Sequence, residues 1–173
     1  GETSGLTMLA RSAEVCARLG QALVEGRIER RYLARVVGVP EASGRIDLRI
    51  GKSAGQGAPR MRAYPTESTV GDSAVSHFWC LDTLHPACGA QSLVLVRLET
   101  GRTHQVRVHM MASGHPIVGD LLYGGPPFER LALHATALDL VHPRTGKRLT
   151  LVAALPSGFW PQPVPDWTQS IAS

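Results

Sequence analysis

Apolar residues recur at helical spacing in the segment that begins at Ser12. Val15 and Leu19 are four residues apart, and further apolar residues follow at the same spacing, so that they share one face of a helix. Ser12 carries the hydroxyl of a typical helix N-cap, and Gly26 suits the residue that ends a helix. The pattern predicts an amphipathic helix between Ser12 and Gly26, preceded by a strand over residues 4–11.

Most other apolar segments have the length and pattern of β-strands. Ile46, Leu48 and Ile50 alternate with charged residues, as in a strand that buries one face. The predicted strands cover residues 30–39, 45–50, 74–84, 92–99, 131–140 and 149–155. Turns at 85–91 and 142–147 join neighbouring strands as hairpins. Since strands with short turns dominate and helices are few, we expect an α+β fold with a mostly antiparallel sheet.

Two segments lack a periodic pattern. Residues 51–59 are rich in glycine and are predicted as a loop, and they do not contain the GxxxxGK[ST] order of nucleotide-binding loops. Residues 160–173 begin with closely spaced prolines, and we expect this tail to wrap the surface or to be loosely held. Neither segment indicates a functional site.

The polar stretch TGRTHQVRVH at residues 100–109 directly follows a predicted strand. Thr103 is the expected N-cap of a helix that begins at His104 and ends near Ser113, where Gly114 follows. The N–H groups at the start of such a helix favour an anion. The stretch thus predicts a strand, a tight turn and a helix, with an anion at the turn.

Arg107 shares a face of this predicted helix with the apolar residues Val108 and Met111. A partly buried arginine needs a carboxylate or a phosphate as its partner. From the pattern alone, Arg107 either pairs with a structural acid such as Asp120 or belongs to a functional site. Both interpretations stay open at this point.

The cysteines and histidines do not form a recognisable metal site. No CxxC pair occurs among the three cysteines, which are Cys16, Cys80 and Cys88. Neither a disulfide framework nor a zinc site is indicated, and a reducing compartment is expected. His104 and His109 are five residues apart, whereas paired helical zinc ligands favour a spacing of four. A metal-dependent hydrolase that uses these two histidines and His115 is therefore the weakest interpretation, and we expect no metal.

A second basic segment, ERRYLARV, occupies residues 29–36. In a strand, Arg30 and Tyr32 point to one side and Arg31 points to the other. A tyrosine between arginines can stack on a base while the arginines hold phosphates. The alternative is a surface strand whose tyrosine packs on the sheet edge.

Composition narrows the choice of partner. The chain has 173 residues, of which 43% are hydrophobic and 18% charged, as in a globular domain with its own core. Its net charge is +4, and every basic residue except Lys52 and Lys147 is an arginine. Because arginine binds phosphate and stacks on bases, the composition favours an anionic partner such as nucleic acid. No segment has the roughly 20 apolar residues that span a bilayer, so no membrane partner is expected.

Four segments together resemble the RluA-type family of RNA pseudouridine synthases. In chain order they are ETSGLTMLAR, ERRYLARVVG, LETGRTHQVRVHMMASGHPIVGDLLYG and LALHATALDLVHPRTGKRLTLVAALP. The third is the most specific to that family. The resemblance implies a pseudouridine synthase fold, in which a mixed, mostly antiparallel sheet in two halves with flanking helices has a central active-site cleft. It assigns residues 1–159 to the catalytic domain, of which the first quarter would precede them, and residues 160–173 to a tail.

The resemblance also assigns roles to residues. The family motif HRLDxxTSG matches residues 3–5, which puts the nucleophilic aspartate immediately before Gly1. Tyr32 matches the tyrosine that stacks on the target base and is proposed to take the C5 proton. Arg107 matches the arginine that pairs with the aspartate. The residues expected to bind RNA are Arg30, Arg31, Arg102, Thr103, His104 and Gln105.

These roles imply an enzyme that isomerises uridine to pseudouridine in structured rRNA or tRNA, provided that an aspartate precedes Gly1. No cofactor is expected. The expected partners are RNA and ribosomal assembly intermediates, and the expected compartment is the cytoplasm or the mitochondrion. The alternative is a synthase-like domain that has lost catalysis and serves as an RNA-binding or ribosome-assembly factor.

Overall fold

Eight strands and two α-helices make up the part of the chain that the structure, a computed structural model, describes: residues 3–53, 60–85, 89–161, 163, 164 and 166. The strands are β1 (Ser4–Gly5), β2 (Glu29–Val37), β3 (Ser43–Lys52), β4 (Met61–Tyr64), β5 (Asp72–Leu84), β6 (Gln91–Leu98), β7 (Leu133–Val141) and β8 (Arg148–Val152). The helices are α1 (Ala13–Val24), α2 (Gln105–Ala112) and a short 3-10 helix (Leu121–Tyr123).

The described strands form one hydrogen-bonded sheet in the order β1-β7-β2-β6-β5-β3-β4, with β8 also paired to β7. The pair β1 and β7 is parallel, and every other strand pair among the described residues is antiparallel. The predicted mostly antiparallel α+β fold is therefore confirmed. The predicted hairpin of β5 and β6 is also confirmed.

The core is centred on β2 and β6, which lie in the middle of the sheet. Four consecutive residues of β6, Leu93, Val94, Leu95 and Val96, are each at most 1% exposed. Because successive side chains of a strand point to opposite faces, both faces of β6 are covered. Val106 of α2 belongs to the same apolar cluster. The core thus fixes the end of β6, from which the polar stretch continues.

The first predicted strand is shorter than expected. Residues 4–11 were predicted as one strand, but β1 contains two residues, which pair with His134 and Ala135 of β7. The next positions along this edge of β7 are occupied by β8, which pairs from Ala137 onward. Leu6 keeps one backbone bond to Ala135, but residues 7–10 have no edge to pair with, and the prediction of a strand beyond Gly5 is wrong.

The start of α2 also differs from the prediction. Thr103 is not the N-cap; the N-cap is His104, in the left-handed conformation with φ 57°, and its side chain does not cap the helix. The side chain of Gln105 instead accepts a hydrogen bond from the backbone N–H of Arg102 at 2.9 Å. This bond closes the turn without the Thr103 hydroxyl. The helix predicted between Ser12 and Gly26 is confirmed as α1, with Ser12 as its N-cap.

The boundary between the predicted domain and its tail packs against the core. Phe159, the last residue of the predicted domain, and Trp160, the first of the tail, are each 3% exposed, and the indole of Trp160 donates to Asp82 at 3.0 Å. Most of the predicted glycine-rich loop lies outside the described residues. In the part of the chain that the structure describes, no helix is long and apolar enough to cross a membrane.

Candidate active site

A cavity of about 320 Å³ opens between β1, β2, α2 and the turn that precedes α2. Six of the eight predicted site residues line it: Arg30, Tyr32, Arg102, His104, Gln105 and Arg107. Thr3, Leu98 and Leu133 form other parts of its wall. Segments that are far apart in the sequence therefore meet in one concave site.

Tyr32 and Arg30 reach the cavity from β2, as strand alternation predicted. Arg30 donates from Nη2 to the carbonyl oxygen of Thr100 at 3.0 Å. Gly101 permits this contact, since a Cβ there would lie 2.4 Å from the Arg30 guanidinium. Burial raises the pKa of Tyr32, and the positive charge of Arg30 acts in the opposite direction. The phenol therefore keeps its proton at neutral pH.

Arg107 forms a buried two-bond ion pair with Asp120. Its Nε donates to Oδ2 at 2.8 Å and its Nη2 donates to Oδ1 at 2.7 Å. The two side chains are 9% and 0% exposed. The ring of Tyr123 lies 5.0 Å from the guanidinium carbon, within the range of a cation–π contact. The structural partner suggested by the sequence is thus present, and the guanidinium also lines the cavity.

The buried amide of Gln105 joins the turn to the sheet. Its Oε1 accepts from the hydroxyl of Thr100 at 2.8 Å and from the N–H of Arg102 at 2.9 Å. Its Nε2 donates to the carbonyl oxygen of Val75 at 2.9 Å and to the hydroxyl of Ser76 at 3.0 Å. Gln105 therefore positions the cavity wall by four hydrogen bonds. All four bonds of its amide are made to other residues of the protein.

His104 is held by Tyr123. The imidazole Nδ1 and the phenol oxygen are 2.9 Å apart, and the same oxygen accepts from the N–H of Met61 at 3.2 Å. Burial raises the pKa of Tyr123. His104 is also the single non-glycine residue with positive φ among the described residues. Backbone strain of this kind clusters at functional sites.

Residues 3–5 lie at the edge of the sheet, and Thr3 forms part of the cavity wall. The hydroxyl of Ser4 lies 2.9 Å from Nδ1 of His134. Gly5 has φ 94°, and a Cβ there would lie 2.2 Å from the carbonyl oxygen of Ala135. Only glycine fits this approach without displacing β7. The segment is thereby fixed with Thr3 at the cavity.

Two predicted site residues do not line the cavity. Arg31 donates to Asp139 at 2.6 Å and is also paired with Glu29. Thr103 is exposed in the turn before α2. Their predicted contacts with RNA stay predictions. For Arg31, a contact with a phosphate group would require its ion pairs with Glu29 and Asp139 to break.

The sequence reasoning missed Tyr123, Thr100 and Ser76. Each contacts the site from a different element through a side-chain hydroxyl, and such contacts leave no periodic signal in the sequence. Their identification requires the tertiary structure.

The three histidines of the hydrolase interpretation lie in different environments. His109 is fully buried, with Nδ1 2.9 Å from the hydroxyl of Ser76. His115 has Nδ1 2.9 Å from the carbonyl oxygen of Val37. Within the described residues, no three His, Cys, Asp or Glu side chains come together in a possible metal site. The cavity instead offers arginines for an anion and a tyrosine ring for a planar group.

The sequence pattern of a family described as RNA pseudouridylate synthase matches residues 1–112. Ribosomal large subunit pseudouridine synthase D of Pseudomonas aeruginosa is 38% identical over 91% of this chain and 52% of its own length. An uncharacterised RNA pseudouridine synthase of Chloroflexus aurantiacus is 40% identical over 90% of this chain and 48% of its own length. The chain thus spans about half the length of these curated relatives.

Solved structures agree with the sequence comparisons. The structure of human RNA Pseudouridylate Synthase Domain Containing 1 superposes with a TM-score of 0.74 at 30% identity, over 90% of this chain and 66% of that one. Human RNA Pseudouridylate Synthase Domain Containing 4 superposes with a TM-score of 0.65 at 23% identity. The second similarity concerns the fold alone.

Proposed function

The chain belongs to the RNA pseudouridylate synthase family, and from that membership we propose that the protein isomerises uridine to pseudouridine in RNA. The observation that carries the proposal is the meeting of Thr3, Tyr32 and Arg107 at one cavity. These residues come from three separate segments of the chain. Relatives are named as ribosomal large subunit enzymes, so we propose ribosomal RNA as the substrate.

The nucleophile in this proposal is an aspartate immediately before Gly1. The position of Thr3 at the cavity supports it, because the aspartate would be three residues upstream of Thr3. The carboxylate forms a covalent intermediate while the bond between N1 and C1′ breaks. The base then turns, and C5 bonds to C1′ while the bond between C1′ and the carboxylate oxygen breaks, which frees the aspartate. C5 loses its proton and N1 gains one. Atoms balance without a cofactor.

Tyr32 stacks on the flipped base in this mechanism. Extrusion of a base costs a few kcal/mol, and stacking on an aromatic ring offsets about 1–3 kcal/mol of that cost. Because burial raises the pKa of Tyr32, the ring stacks as the neutral phenol. To accept the C5 proton, the phenol must first release its own proton, and N1, which gains a proton in the reaction, is the acceptor that balances this exchange. The positive charge of the nearby Arg30 favours the phenolate that forms in between.

In this proposal Arg107 interacts with two carboxylates, that of Asp120 and that of the nucleophilic aspartate. Its ion pair with Asp120 fixes the guanidinium at the cavity. A nucleophilic aspartate beside it would have its pKa lowered by the positive charge and would stay ionised at neutral pH. Asp120 offsets part of that charge, and Arg30 and Arg102 add further positive charge at the same cavity.

The test uses the chain together with the residues that precede Gly1. An aspartate encoded directly before Gly1 is expected, and any other residue there would contradict catalysis.

Tyr32→Phe should lower the rate of pseudouridine formation by about 10²–10⁴-fold, the usual contribution of a proton-transfer group, with RNA affinity retained. Tyr64→Phe is the matched control, since Tyr64 bonds to the carbonyl oxygen of Lys52 and should keep full turnover.

Arg107 requires a paired design because its removal leaves Asp120 buried without its ion-pair partner. The double variant Arg107→Met with Asp120→Asn removes both charges, and it should fold while losing pseudouridine formation. Asp120→Asn alone should retain part of the activity. Normal turnover in the double variant would contradict the role of Arg107. A folded chain that binds RNA without isomerising it would instead favour the inactive alternative.

A further inference from the structure

A second basic surface lies between α1 and the turn that joins β7 to β8. A cavity of about 290 Å³ at this place is lined by Arg18, Arg27 and His142, among others. Arg144 and Lys147 belong to the same turn and are exposed. We call these five residues the basic patch. None of them lines the catalytic cavity.

The ion pairs of the basic patch are exposed. Arg18 pairs with Glu14 at 2.8 Å, and their side chains are 54% and 70% exposed. Arg27 pairs with Glu25, and those side chains are 57% and 40% exposed. Exposed pairs of this kind contribute about 0–1 kcal/mol. A phosphate group can therefore compete with the glutamates for both guanidinium groups.

His142 adds a hydrogen-bond donor to the patch. Its Nδ1 accepts from the backbone N–H groups of Arg144 at 3.3 Å and Thr145 at 3.2 Å. The neutral ring therefore carries its proton on Nε2. In this tautomer Nε2 can donate a hydrogen bond to a phosphate oxygen, whereas an unprotonated Nε2 would repel it with its lone pair. The patch is thus built from groups that favour an anion.

A groove of about 180 Å³ adjoins the catalytic cavity, with which it shares Arg30, Gly101 and Arg102. Leu23 and Val24 of α1, the helix that carries Arg18 of the patch, also line this groove, as does Glu99. Val24 is 89% exposed. Arg18 and Val24 are six positions apart on α1, which corresponds to about 9 Å at 1.5 Å per residue. Successive phosphates of one strand of a duplex rise roughly 3.4 Å along the helix axis, so a few nucleotides cover this distance.

We propose that the basic patch binds the phosphate backbone of the RNA strand that leaves the catalytic cavity, and that this strand passes over Leu23 and Val24. The inference rests on the proposed function for the presence of RNA in the catalytic cavity. A concave path that begins at that cavity suits a polynucleotide strand, whereas a membrane surface would require a flat basic face.

The test compares two oligouridylates, of about 4 and about 16 nucleotides, which bracket typical single-strand site sizes. Arg144→Gln with Lys147→Gln should weaken binding of the longer RNA on the order of tenfold and that of the shorter less than about twofold. The slope of log affinity against log salt should become shallower by about 1.4 for the longer RNA, at roughly 0.7 per phosphate contact. Unchanged affinity for the longer RNA would overturn the proposal.

Two further double variants test the patch, one by removing its glutamates and one by removing arginines elsewhere. Glu14→Gln with Glu25→Gln removes the competing carboxylates and should strengthen binding of the longer RNA. Arg45→Gln with Arg62→Gln removes the same charge on β3 and β4, which are separated from β7 by three and four strands. This control should change the affinity much less than the patch variant does. An equal loss would show that only net charge matters and would overturn the proposal.

Pseudouridine formation is measured separately, so that the two proposals can fail independently. Absence of the product together with the length-dependent loss of affinity would refute the proposed reaction and retain the patch as an RNA site. Product formation without that length dependence would refute the patch and retain the reaction. Patch-dependent binding to vesicles of anionic phospholipid, without an effect on the longer RNA, would also overturn the proposal.

Discussion

Two walls of the candidate active-site cavity are held in place by different means. On one side, Gln105 makes four side-chain hydrogen bonds and Arg107 makes two to Asp120. On the other side, residues 3–5 depend on a two-residue strand and on the bond between Ser4 and His134. A densely bonded wall shares in the global stability, whereas a sparsely held one can open locally. Substitutions in the two walls should therefore have different signatures.

The largest effect is expected in the densely bonded wall. Asp120→Ala removes the buried carboxylate that accepts two hydrogen bonds from Arg107, and loss of one partner of a buried pair costs about 3–5 kcal/mol. Urea denaturation measures this loss as a lower midpoint. Asp47→Ala is the matched control, because its pair with Arg45 is largely exposed and should contribute less than about 1 kcal/mol. An equal loss of unfolding free energy in the two variants would contradict the proposed difference between the walls.

A pH-dependent effect of intermediate size is expected from His109, which lies beneath the same wall. Burial lowers its pKa from 6.5 to about 4, although the charge of Asp47 acts in the opposite direction. Between these pH values the unfolded chain binds a proton that the folded chain does not. The free energy of unfolding should therefore fall by roughly 3 kcal/mol as the pH drops from above 6.5 to 4, at 1.36 kcal/mol per pKa unit.

Denaturation curves of a His109→Leu variant across this pH range check the prediction. The variant should lose most of the slope between pH 6.5 and 4. A smaller slope should remain from His134, whose pKa is also lowered by burial. His85→Leu, at an exposed position, is the control and should keep the original slope. An unchanged slope in the His109 variant would contradict the assignment.

The smallest global effect is expected in the sparsely held wall. Gly5→Ala forces a Cβ into the carbonyl of Ala135 at positive φ, which costs about 1–3 kcal/mol locally. The unfolding free energy should fall by less than about 1 kcal/mol, because residues 3–5 detach before the core unfolds. The amide of Leu6, which donates to Ala135 at 3.0 Å, should exchange with solvent roughly tenfold to hundredfold faster.

Gly26→Ala is the matched control for Gly5→Ala. Gly26 also has positive φ, but nothing lies within 4 Å of a Cβ there. This variant should leave exchange at Leu6 unchanged. If Gly5→Ala lowered the global stability as much as Asp120→Ala, the two walls would be equally integrated into the core.

The elements with local signals were predicted from the sequence. The cap at Ser12, the alternation through Arg30 and Tyr32, and the β5–β6 hairpin each depend on neighbouring residues, and the structure contains all three. The short length of β1 was not predictable, because it depends on β8 occupying the same edge of β7. That competition is between segments more than a hundred residues apart.

The left-handed conformation of His104 was missed for a similar reason. A threonine followed by a helical pattern predicts a cap at Thr103. The turn is instead set by the amide of Gln105, which is held by Val75 and Ser76 of β5. A sequence pattern does not reveal such a tertiary contact. The composition of the site was therefore more predictable than its geometry.

The pairing of Ser4 with His134, 130 residues later in the chain, has a consequence for biosynthesis. A ribosome delivers the chain from its N-terminus, and non-local contacts form only after both segments are available. Residues 3–5 therefore have no edge to dock on until β7 has left the exit tunnel, after Tyr32 and Arg107 have been synthesised. The cavity that would hold the target base stays incomplete until then, so a nascent chain that stops before β7 lacks one wall of the site.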